Sequence, residues 1–406
     1  MDFIPILSTL RRHRTAATLI ILEIALTCAI VCNAVFVIRE RMKRMDLASG
    51  VAESEIVRVQ IAGIGQKADP GVITRQDLAA LQAVPGVKHV AVTNMVPFGG
   101  SSWNSSISTI PDDPTPPINV ATYMGSHDLV KTLGATLIAG RDFEANEFIP
   151  FGGASGNTPH LPSVIITKGV ADRLFPGQSA IGKPLYVWDK DPTTVVGVVD
   201  LLARPNDWQG REGATYALIM PVDVDFTAGG NYLLRGDPAR QAEIIAAAEK
   251  ALKQVDPNRL IIRRQTFADI RKDHFKEDRA MAWLLFGVSL ALLVITALGV
   301  IGLASFWVQQ RTRQIGVRRA LGATRGDILR YFQTENFILA TAGIILGMAL
   351  AYGINMWLMD KYQIDRLPAS FLPIGAGLLW FLGQVAVLGP ALRAAAIPPA
   401  IATRSV

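Results

Sequence analysis

Residues 281–308 decide the fold, and they read MAWLLFGVSLALLVITALGVIGLASFWV. No charged residue interrupts this run. A helix needs about 20 apolar residues to cross the roughly 30 Å of hydrocarbon in a bilayer, and this run is longer. A helix on the surface of a soluble domain would carry charged and polar residues along one face, whereas this stretch is apolar all round. The stretch therefore predicts a transmembrane helix.

Three other segments are nearly free of charge and long enough to span a bilayer: 16–38, 336–359 and 371–392. Pro373, Pro390 and several glycines interrupt the last one. Membrane helices tolerate such residues when neighbouring helices satisfy the freed backbone groups. The mean hydropathy of the chain, +0.30, agrees with several spans. The sequence predicts a membrane protein with four transmembrane α-helices, one before and three after a large extracytoplasmic mixed α/β domain.

The first segment has two interpretations, a cleaved signal peptide or an uncleaved anchor. The basic RRHR at 11–14 precedes it as in a signal peptide. The apolar run is longer than the usual signal core, however, and RERMKR follows it instead of a small-residue cleavage site. We therefore expect an anchor. Its Cys28 and Cys32 share one helix face, and we expect them to be packing residues because the outer domain offers no cysteine for a disulfide.

Arginine marks which side of the membrane each segment faces. Residues 309–335 contain six arginines against Asp327 and Glu335, whereas the short loop 360–366 carries no net charge. Basic short loops lie on the cytoplasmic side. The predicted boundaries are 1–15 inside, 16–38 first helix, 39–279 outer domain, 280–308 second helix, 309–335 inner segment, 336–359 third helix, 360–370 outer loop, 371–392 fourth helix and 393–406 inner C-terminus. Residues 280–406 alone account for a charge equal to the net +6, so the basic excess indicates membrane flanks and not nucleic acid binding.

Residues of the outer domain alternate between strand and helix patterns. EIVRVQIAGI at 55–64 has the two-residue period of a strand, and ITRQDLAALQAV at 73–84 predicts a helix with Thr74 as its N-cap. Similar strand–helix units recur to residue 265, which predicts mixed α/β subdomains. Residues 99–117 and 146–162 are rich in Ser, Pro and Gly, and we expect loops or edges of an inserted β-rich lobe there.

No motif for catalysis or a cofactor stands out. GQSAIGKP at 177–184 is one residue short of a phosphate-binding loop, because Pro184 replaces the required hydroxyl residue, so we expect a turn. The histidines are scattered without metal-ligand spacing, and no G-x-S-x-G motif occurs. We expect a protein that is not an enzyme and binds no cofactor or metal of its own.

The stretch RTRQIGVRRALGA at 311–323 resembles a sequence of the permease subunits of MacB/FtsX-type ABC transporters, which usually read RTREIGVRRALGA. Gln314 is the one departure. LGATLIAGRDF at 133–143, LFPGQSAIGKPL at 174–185 and ALRAAAIPPAIA at 391–402 are also similar to this family. The resemblance covers essentially the whole chain, and it implies a MacB-like periplasmic core domain and an FtsX-like transmembrane domain in the inner membrane.

The resemblance also implies partners. Permeases of this family form dimers, with a second copy or a paralogue, and each docks a cytoplasmic ABC ATPase that binds the ATP. A periplasmic adaptor (a membrane fusion protein) and an outer-membrane channel complete some assemblies. We expect the ATPase to be a separate polypeptide here, because few residues precede the first span and no complete Walker A motif occurs. Membrane lipid is a further partner and nucleic acid is not.

The resemblance places an ATPase-coupling segment directly after the second helix, which we expect to continue as a stalk and to turn at LGATRGD into a short helix. Its candidate residues are Arg311, Arg313, Gln314, Ile315, Gly316, Arg318, Arg319, Ala320, Leu321, Gly322 and Ala323. Ile315, Arg318, Arg319 and Gly322 fall at spacings that share one helix face. The alternative is that these arginines only orient the helix and contact anionic lipid. Gln314 would keep hydrogen bonding but lose the charge of the family's Glu.

Glu23 is the one acid inside a predicted span, which makes it a functional candidate, although pairing with Arg14 or Gln384 would explain it equally well. The function itself has three open alternatives. The first is export driven by transmission of ATPase movement to the outer domain. The second is an FtsX-like regulator or sensor that acts on a periplasmic protein, and the third is extraction of lipoproteins.

Overall fold

The computed structural model describes residues 14–62, 69–114, 118–151, 160–188, 190–206, 212–362 and 366–398. The chain divides into two compact units, and each is described by itself. The membrane unit comprises Met1–Asp46 and Glu277–Val406, and the α/β unit comprises Leu47–Lys276.

The helices are, in chain order, α1 Arg14–Met45, α2 Pro70–Gln82, α3 Leu129–Leu133, α4 Lys168–Leu174, α5 Gln241–Val255, α6 Phe267–His274, α7 Lys276–Gln310, α8 Thr312–Ala320, α9 Arg325–Tyr362 and α10 Phe371–Ala395. The strands are β1 Ile56–Ala62, β2 Val87–Thr93, β3 Asn104–Ile107, β4 Ile118–Met124, β5 Leu137–Gly140, β6 Ile149–Pro150, β7 Ser163–Thr167, β8 Pro184–Leu185, β9 Thr193–Val199, β10 Ala217–Met220, β11 Val222–Asp223, β12 Asn231–Gly236 and β13 Leu260–Thr266.

The first sheet of the α/β unit has the strand order β13-β1-β12-β2, with antiparallel neighbours throughout. Val57, Val59 and Ile61 of β1 are buried in a hydrophobic core that also contains residues of α2 and α5. Side chains alternate between the faces of a strand, so Arg58 and Gln60 point to the face away from those helices. This second face is polar on β1 and carries the cavity described below.

The second sheet is mixed, with the order β3-β4-β10-β7-β9-β5 and β8 on the edge of β9. β4 pairs with β10 and β7 pairs with β9 in parallel, whereas the remaining pairs of this sheet are antiparallel. β6 and β11 form a separate parallel pair. The predicted mixed α/β architecture is therefore confirmed, and β3 and β6 lie in the two regions expected to hold loops or edges. Residues 115–117 and 152–159 of those regions lie outside the described part.

One predicted helix boundary was wrong. The helix begins at Pro70, and Asp69 is its N-cap because its Oδ1 accepts hydrogen bonds from the backbone N–H of Gly71 and Val72. Thr74 is inside the helix, where its hydroxyl donates to the carbonyl of Pro70 at 2.8 Å. An aspartate followed by a proline is a common start of a helix. Asp69 and Pro70 therefore predict the N-terminus of this helix better than Thr74 does.

The turn predicted at 177–184 is present. Gly177 and Gly182 have φ of 71° and 78°, a left-handed conformation that glycine adopts without a steric penalty. β8 follows at Pro184 instead of the helix that a phosphate-binding loop requires. The resemblance of this string to a nucleotide site therefore has no structural counterpart.

Four helices of the membrane unit, α1, α7, α9 and α10, are long and apolar enough to cross a membrane, as predicted. Each contains a predicted span and extends beyond it, and α10 continues past the prolines and glycines that interrupt its sequence. The predicted four-helix membrane architecture is confirmed.

Small residues bring α9 into close contact with α1. Gly343 and Gly347 form a G-x-x-x-G motif, and a Cβ on Gly347 would lie 2.5 Å from Cβ of Cys28 and 2.7 Å from the carbonyl oxygen of Ala25. Such motifs allow the backbones of two membrane helices to approach closely. Cys28 is buried in this contact, whereas Cys32 is buried against Gly375 of α10; both thiols are free, which agrees with a packing role.

Polar contacts join α1 to α7 at two places along the helices. In their apolar region, the hydroxyl groups of Thr27 and Thr296 lie 2.8 Å apart in a buried hydrogen bond. At the other place, the buried carboxylate of Asp278 accepts a hydrogen bond from Arg41 at 2.6 Å and lies 3.6 Å from Arg44. Asp278 is two residues after the end of the α/β unit, and Arg44 is close to its start in sequence.

Candidate coupling surface

The sequence predicted that the second helix continues past its span as a stalk. The structure shows a break there instead. α7 ends at Gln310, and α8 begins at Thr312 after a break at Arg311. The hydroxyl of Thr312 donates to the carbonyls of Val308 and Gln309 at 3.1 and 2.9 Å. Threonine side chains that bond back to the preceding turn often accompany a bend in a helix, as they do at this break.

The turn between α8 and α9 is specified locally. Gly322 has φ of 101°, and the N–H groups of Gly322 and Ala323 donate to the carbonyls of Arg319 and Arg318. This pair of bonds with a left-handed glycine is the Schellman end of a helix. Thr324 and Asp327 then form a capping box, in which each side chain accepts the other residue's backbone N–H. α9 begins at Arg325 and runs without interruption into the third span, so no separate short helix precedes that span.

Arg311 points inward at the break. Its Nη1 donates to both carboxylate oxygens of Glu335 on α9, at 3.1 and 2.8 Å. The side chains of Arg311 and Glu335 are only 8% and 1% exposed. The guanidinium also lies 5.5 Å from the centre of the Trp307 ring, a cation–π contact. This buried ion pair fixes the α7–α8 junction to α9.

Ile315 secures α8 on its inner side. It is buried in a hydrophobic cluster with residues of α7, α9 and α10, including Val308, Ile328 and Ala394. The outer side of α8 exposes Arg313, Gln314 and Arg318 together with Val317, which is 44% exposed, and Leu321, which is 83% exposed. These five residues are called the α8 surface below. The Arg318 guanidinium lies 4.8 Å from the centre of the Tyr331 ring, so its direction is restricted although it is exposed.

The predicted coupling residues thus fall into different environments. The exposed ones are Arg313, Gln314, Arg318, Ala320, Leu321 and Gly322, the half-buried ones are Arg319 and Ala323, and the buried ones are Arg311, Ile315 and Gly316. The predicted common face of Ile315, Arg318, Arg319 and Gly322 does not form, because Ile315 packs into the bundle and Arg318 points outward. Arg311, Ile315 and Gly316 are buried within the membrane unit, so their predicted part in coupling would be to position α8.

Two residues of this region were missed from the sequence. Val317 belongs to the α8 surface. Its position one helical turn before Leu321 would have predicted that the two side chains share a face. Glu335 was counted only as a charge of the inner segment, although an acid at the edge of a span next to many arginines is a candidate for a buried pair.

Glu23 makes no hydrogen bond to Arg14 or Gln384 within the described part of the chain. Its carboxylate lies instead against α7, where a Cβ on Gly299 would be 2.6 Å from Oε2. Gln384 donates to the carbonyl of Gln333. The packing of Glu23 against α7 was not among the expected explanations, and a role of Glu23 in function stays a prediction.

Family models match nearly the whole chain. A model of the MacB-like periplasmic core domain matches residues 15–256, and a model of the FtsX-like permease C-terminal region matches residues 286–399. The chain belongs to the MacB/FtsX family of ABC transporter permeases. Members of this family are multi-pass inner-membrane proteins with a periplasmic domain, and the α/β unit of this chain corresponds to that domain. The cytoplasmic position of 309–335 stays a prediction. They are transporter subunits and not enzymes in the ordinary sense.

Similar proteins include export and permease proteins. The chain is 25% identical over 413 residues to the pyoverdine export ATP-binding/permease protein PvdT of Pseudomonas aeruginosa, which covers 98% of this chain and 57% of the relative. It is 24% identical over 351 residues to the uncharacterized ABC transporter permease YknZ of Bacillus subtilis, which covers 85% and 82% of the two chains. The chain therefore spans little more than half the length of the export protein.

Two solved structures are similar to part of the chain. The extracellular domain of the noncanonic ABC-type transporter YknZ covers 51% of this chain and all of that chain, with 17% identity and a TM-score of 0.32. The periplasmic region of MacB from Actinobacillus actinomycetemcomitans covers 55% and 94%, with 14% identity and a TM-score of 0.34. The family assignment depends on the family models.

Proposed function

We propose that this permease couples ATP hydrolysis by a cytoplasmic ABC ATPase to a conformational change of its periplasmic unit, and that the change drives export. The observation that carries this proposal is the α8 surface. It exposes two large apolar side chains beside two arginines on a short helix that is itself fixed to the rest of the membrane unit.

The composition of the α8 surface suits a protein partner better than solvent. Burial of the Leu321 and Val317 side chains against a partner is favourable. At about 25 cal/mol per Å² of apolar surface, it would stabilise the complex by a few kcal/mol. Arg313 and Arg318 beside them would pair with carboxylates at the rim of a groove, where charges give orientation and specificity. A surface that served only to orient the helix in the membrane would need the arginines but not the exposed leucine.

A movement of α8 would reach the rest of the membrane unit through rigid contacts. Ile315 and the Arg311–Glu335 pair connect α8 with α7, α9 and α10. α7 is one helix of 35 residues, about 50 Å long at 1.5 Å per residue. Its first turn carries Asp278, which binds Arg41 of α1. This contiguous chain of contacts is the physical path that coupling requires.

Export is supported by the names of similar proteins. The PvdT and MacB relatives are named as pyoverdine and macrolide export proteins. We propose that this permease works as a dimer, with a second copy or a paralogue, and passes a periplasmic molecule to an adaptor and an outer-membrane channel. The four spans pack on one another mainly through two hydrophobic clusters, which favours transmission of movement over passage of cargo through the bilayer.

The test is co-purification of the detergent-solubilised protein from its native membranes, with identification of bound proteins by mass spectrometry. Arg318→Glu changes the α8 surface, and Arg393→Glu makes the same charge change at an exposed arginine in the last turn of α10. We expect an ABC ATPase with the wild type and with Arg393→Glu, and at least about tenfold less of it with Arg318→Glu.

The same eluate separates the functions. Co-purification of an adaptor supports export. Co-purification of a cell-wall hydrolase without an adaptor would contradict export and support the regulatory function. Equal recovery of the ATPase with both variants would contradict docking at the α8 surface.

A further inference from the structure

A cavity of about 310 Å³ lies in the α/β unit, on the face of the first sheet that is turned away from α2 and α5. Its size is at the lower end of the range for small-molecule sites, about 300–1,000 Å³. The residues that line it are Arg58, Gln60, Asn94, Met95, Val96, Gly99, Gly100, Ser101, Asn231 and Arg263. Neither the coupling surface nor the proposed path through the membrane unit uses these residues.

Arg58 is a buried cation in the floor of this cavity. The whole residue is 3% exposed, and it donates one hydrogen bond, from Nη2 to Oε1 of Gln265. Its Nε is buried without a hydrogen-bond partner in the described structure. A guanidinium has five N–H donors, and burying one without matching acceptors is costly. Arg58 is therefore under-satisfied for a buried arginine.

Arg263 adds a second positive charge. It stands on β13 opposite Gln60 of β1, on the same face as Arg58, and it is exposed. Within the described residues it makes no hydrogen bond and no ion pair. Two cations therefore share one side of the sheet, whereas Arg264, the next residue, points to the other face and pairs with Glu249.

No carboxylate lines the cavity to balance these charges. Asp273 lies outside the lining; it accepts a hydrogen bond from the amide of Gln265, whose carbonyl oxygen accepts from Arg58, and its charge partly offsets that of Arg58. Burial and the positive charge of Arg263 lower the pKa of Arg58 to about 10, so Arg58 is still charged at neutral pH. The lining of the cavity therefore carries two positive charges and no carboxylate.

The loop 94–101 forms the wall opposite the sheet and is held in a strained conformation. Phe98 has φ of 60°, which is unusual for an aromatic residue. Its ring is buried, 5.3 Å from the ring of Phe275 and 5.3 Å from the guanidinium of Arg271. Strained backbone of this kind is often retained where it positions a binding loop. A Cβ on Gly99 would lie 3.4 Å from Nη1 of Arg58, so the loop closes directly over the guanidinium.

The backbone N–H groups of Gly99 and Gly100, the two glycines of the loop that line the cavity, are already used within the protein. The N–H of Gly99 donates to the carbonyl of Val96, and the N–H of Gly100 donates to the carbonyl of Pro205, both at 2.9 Å. Sites for phosphate usually present several free backbone N–H groups. The two guanidiniums match instead the two oxygens of a carboxylate, which arginine binds well. Met95 and Val96 supply an apolar wall for the rest of the ligand.

We propose that this cavity binds a small organic carboxylate, with Arg58 and Arg263 as the groups that hold its charge. The ligand would enter from the side of Arg263, which is exposed, and its carboxylate would reach the Nη1 edge of Arg58. Arg263 then acts as the accessible half of the site, and Arg58 as the buried half.

The probe for this site is succinate, with its neutral diamide, succinamide, for comparison. Binding to the full-length protein in detergent is measured by isothermal titration calorimetry, for the wild type, Arg263→Gln and Arg264→Gln. Arg264→Gln removes the same charge from the same strand on its other face.

We expect saturable binding of succinate, no binding of succinamide, and at least about tenfold weaker binding with Arg263→Gln, because a hydrogen bond to a charged group contributes about 1.5–3 kcal/mol. Arg264→Gln should bind as the wild type does. The proposal is overturned if the wild type does not bind succinate, if succinamide binds equally well, or if Arg263→Gln and Arg264→Gln have the same affinity. These results are independent of ATPase docking at α8.

Discussion

Arg311 and Glu335 form a buried ion pair that connects the break between α7 and α8 with α9, directly before the third span. Arg311 is the first arginine of a run whose other members are mostly exposed. The most family-like segment of the chain therefore divides into an arginine that organises the bundle and arginines that face outward. Different residues of this segment hold the helices together and face a partner. The two roles can therefore be tested separately.

The ion pair predicts non-additive mutations. Arg311→Met or Glu335→Leu alone leaves a buried charge without a partner, which costs about 3–5 kcal/mol of stability. The double variant Arg311→Met/Glu335→Leu removes both charges and should lose less than the more harmful single change. Thermal unfolding in detergent, followed by tryptophan fluorescence, measures the three variants. If the double variant is destabilised by the sum of the two single effects, the residues are not coupled.

Close packing of α1 on α9 predicts opposite effects at two glycines of α9. Gly347→Ala places a methyl group against Cys28 and Ala25, and overpacking of this kind costs about 1–3 kcal/mol. Gly353→Ala is the matched control, because no atom lies within 4 Å of its added Cβ and alanine favours the helix. We expect a lower melting temperature for the first variant and an equal or higher one for the second. Equal effects would show that the G-x-x-x-G contact is absent.

The sequence was informative where a single physical requirement acts over a long stretch. Thirty ångströms of hydrocarbon demand long apolar runs, so all four spans could be found, and the arginine excess gave the orientation of 309–335. The two-residue and 3.6-residue periods likewise showed the α/β unit. The G-x-x-x-G motif at Gly343 and Gly347 likewise indicates, from the sequence alone, close packing of α9 on another helix.

The rest depended on contacts between distant residues. The pairing of Arg311 with Glu335 requires α9 to lie beside the end of α7, and no local pattern states this. For the same reason the inward face of α8 was predicted wrongly: Ile315 and Leu321 are both apolar, and only the packing of α7, α9 and α10 decides which of them is covered. Arg58 and Arg263 are far apart in sequence and meet because β1 and β13 pair.

Glu147 predicts a pH dependence of the stability of the α/β unit. A bidentate pair with Arg141, at 2.7 and 2.9 Å, lowers the pKa of Glu147 below its usual value. The pair therefore stabilises the folded protein above the unfolded-state pKa of about 4.3, and this contribution disappears as the pH falls through the folded-state pKa. Glu147→Gln should lower the melting temperature at pH 7 and have little effect in acid.

Melting curves at neutral pH and at successively lower pH values check this, with Glu243→Gln as a control at a largely exposed acid. A difference between wild type and Glu147→Gln that stayed constant down to the lowest pH would contradict the ionic contribution.

Asp278 predicts a variant that separates docking from transmission. Asp278→Asn weakens the contact of α7 with Arg41 and Arg44 at the end of the membrane unit nearest in sequence to the α/β unit. We expect the variant to retain the co-purifying ATPase but to lose most of the ATP-dependent change in trypsin cleavage of residues 47–276 in proteoliposomes. Glu40→Gln, at an α1 acid that pairs with Lys43, should keep that change. A normal ATP response of Asp278→Asn would remove this pair from the path.

The central claim is that the outer side of α8 docks the ATPase, and site-specific photo-crosslinking tests it most directly. A benzoyl-phenylalanine is introduced in cells at Leu321, which is 83% exposed, or at Ile315, which is 5% exposed on the inner side of the same helix. The account predicts a cross-link to an ABC ATPase from position 321 and none from position 315. No ATPase cross-link from position 321, in cells where the ATPase is expressed and the variant is inserted normally, would contradict it.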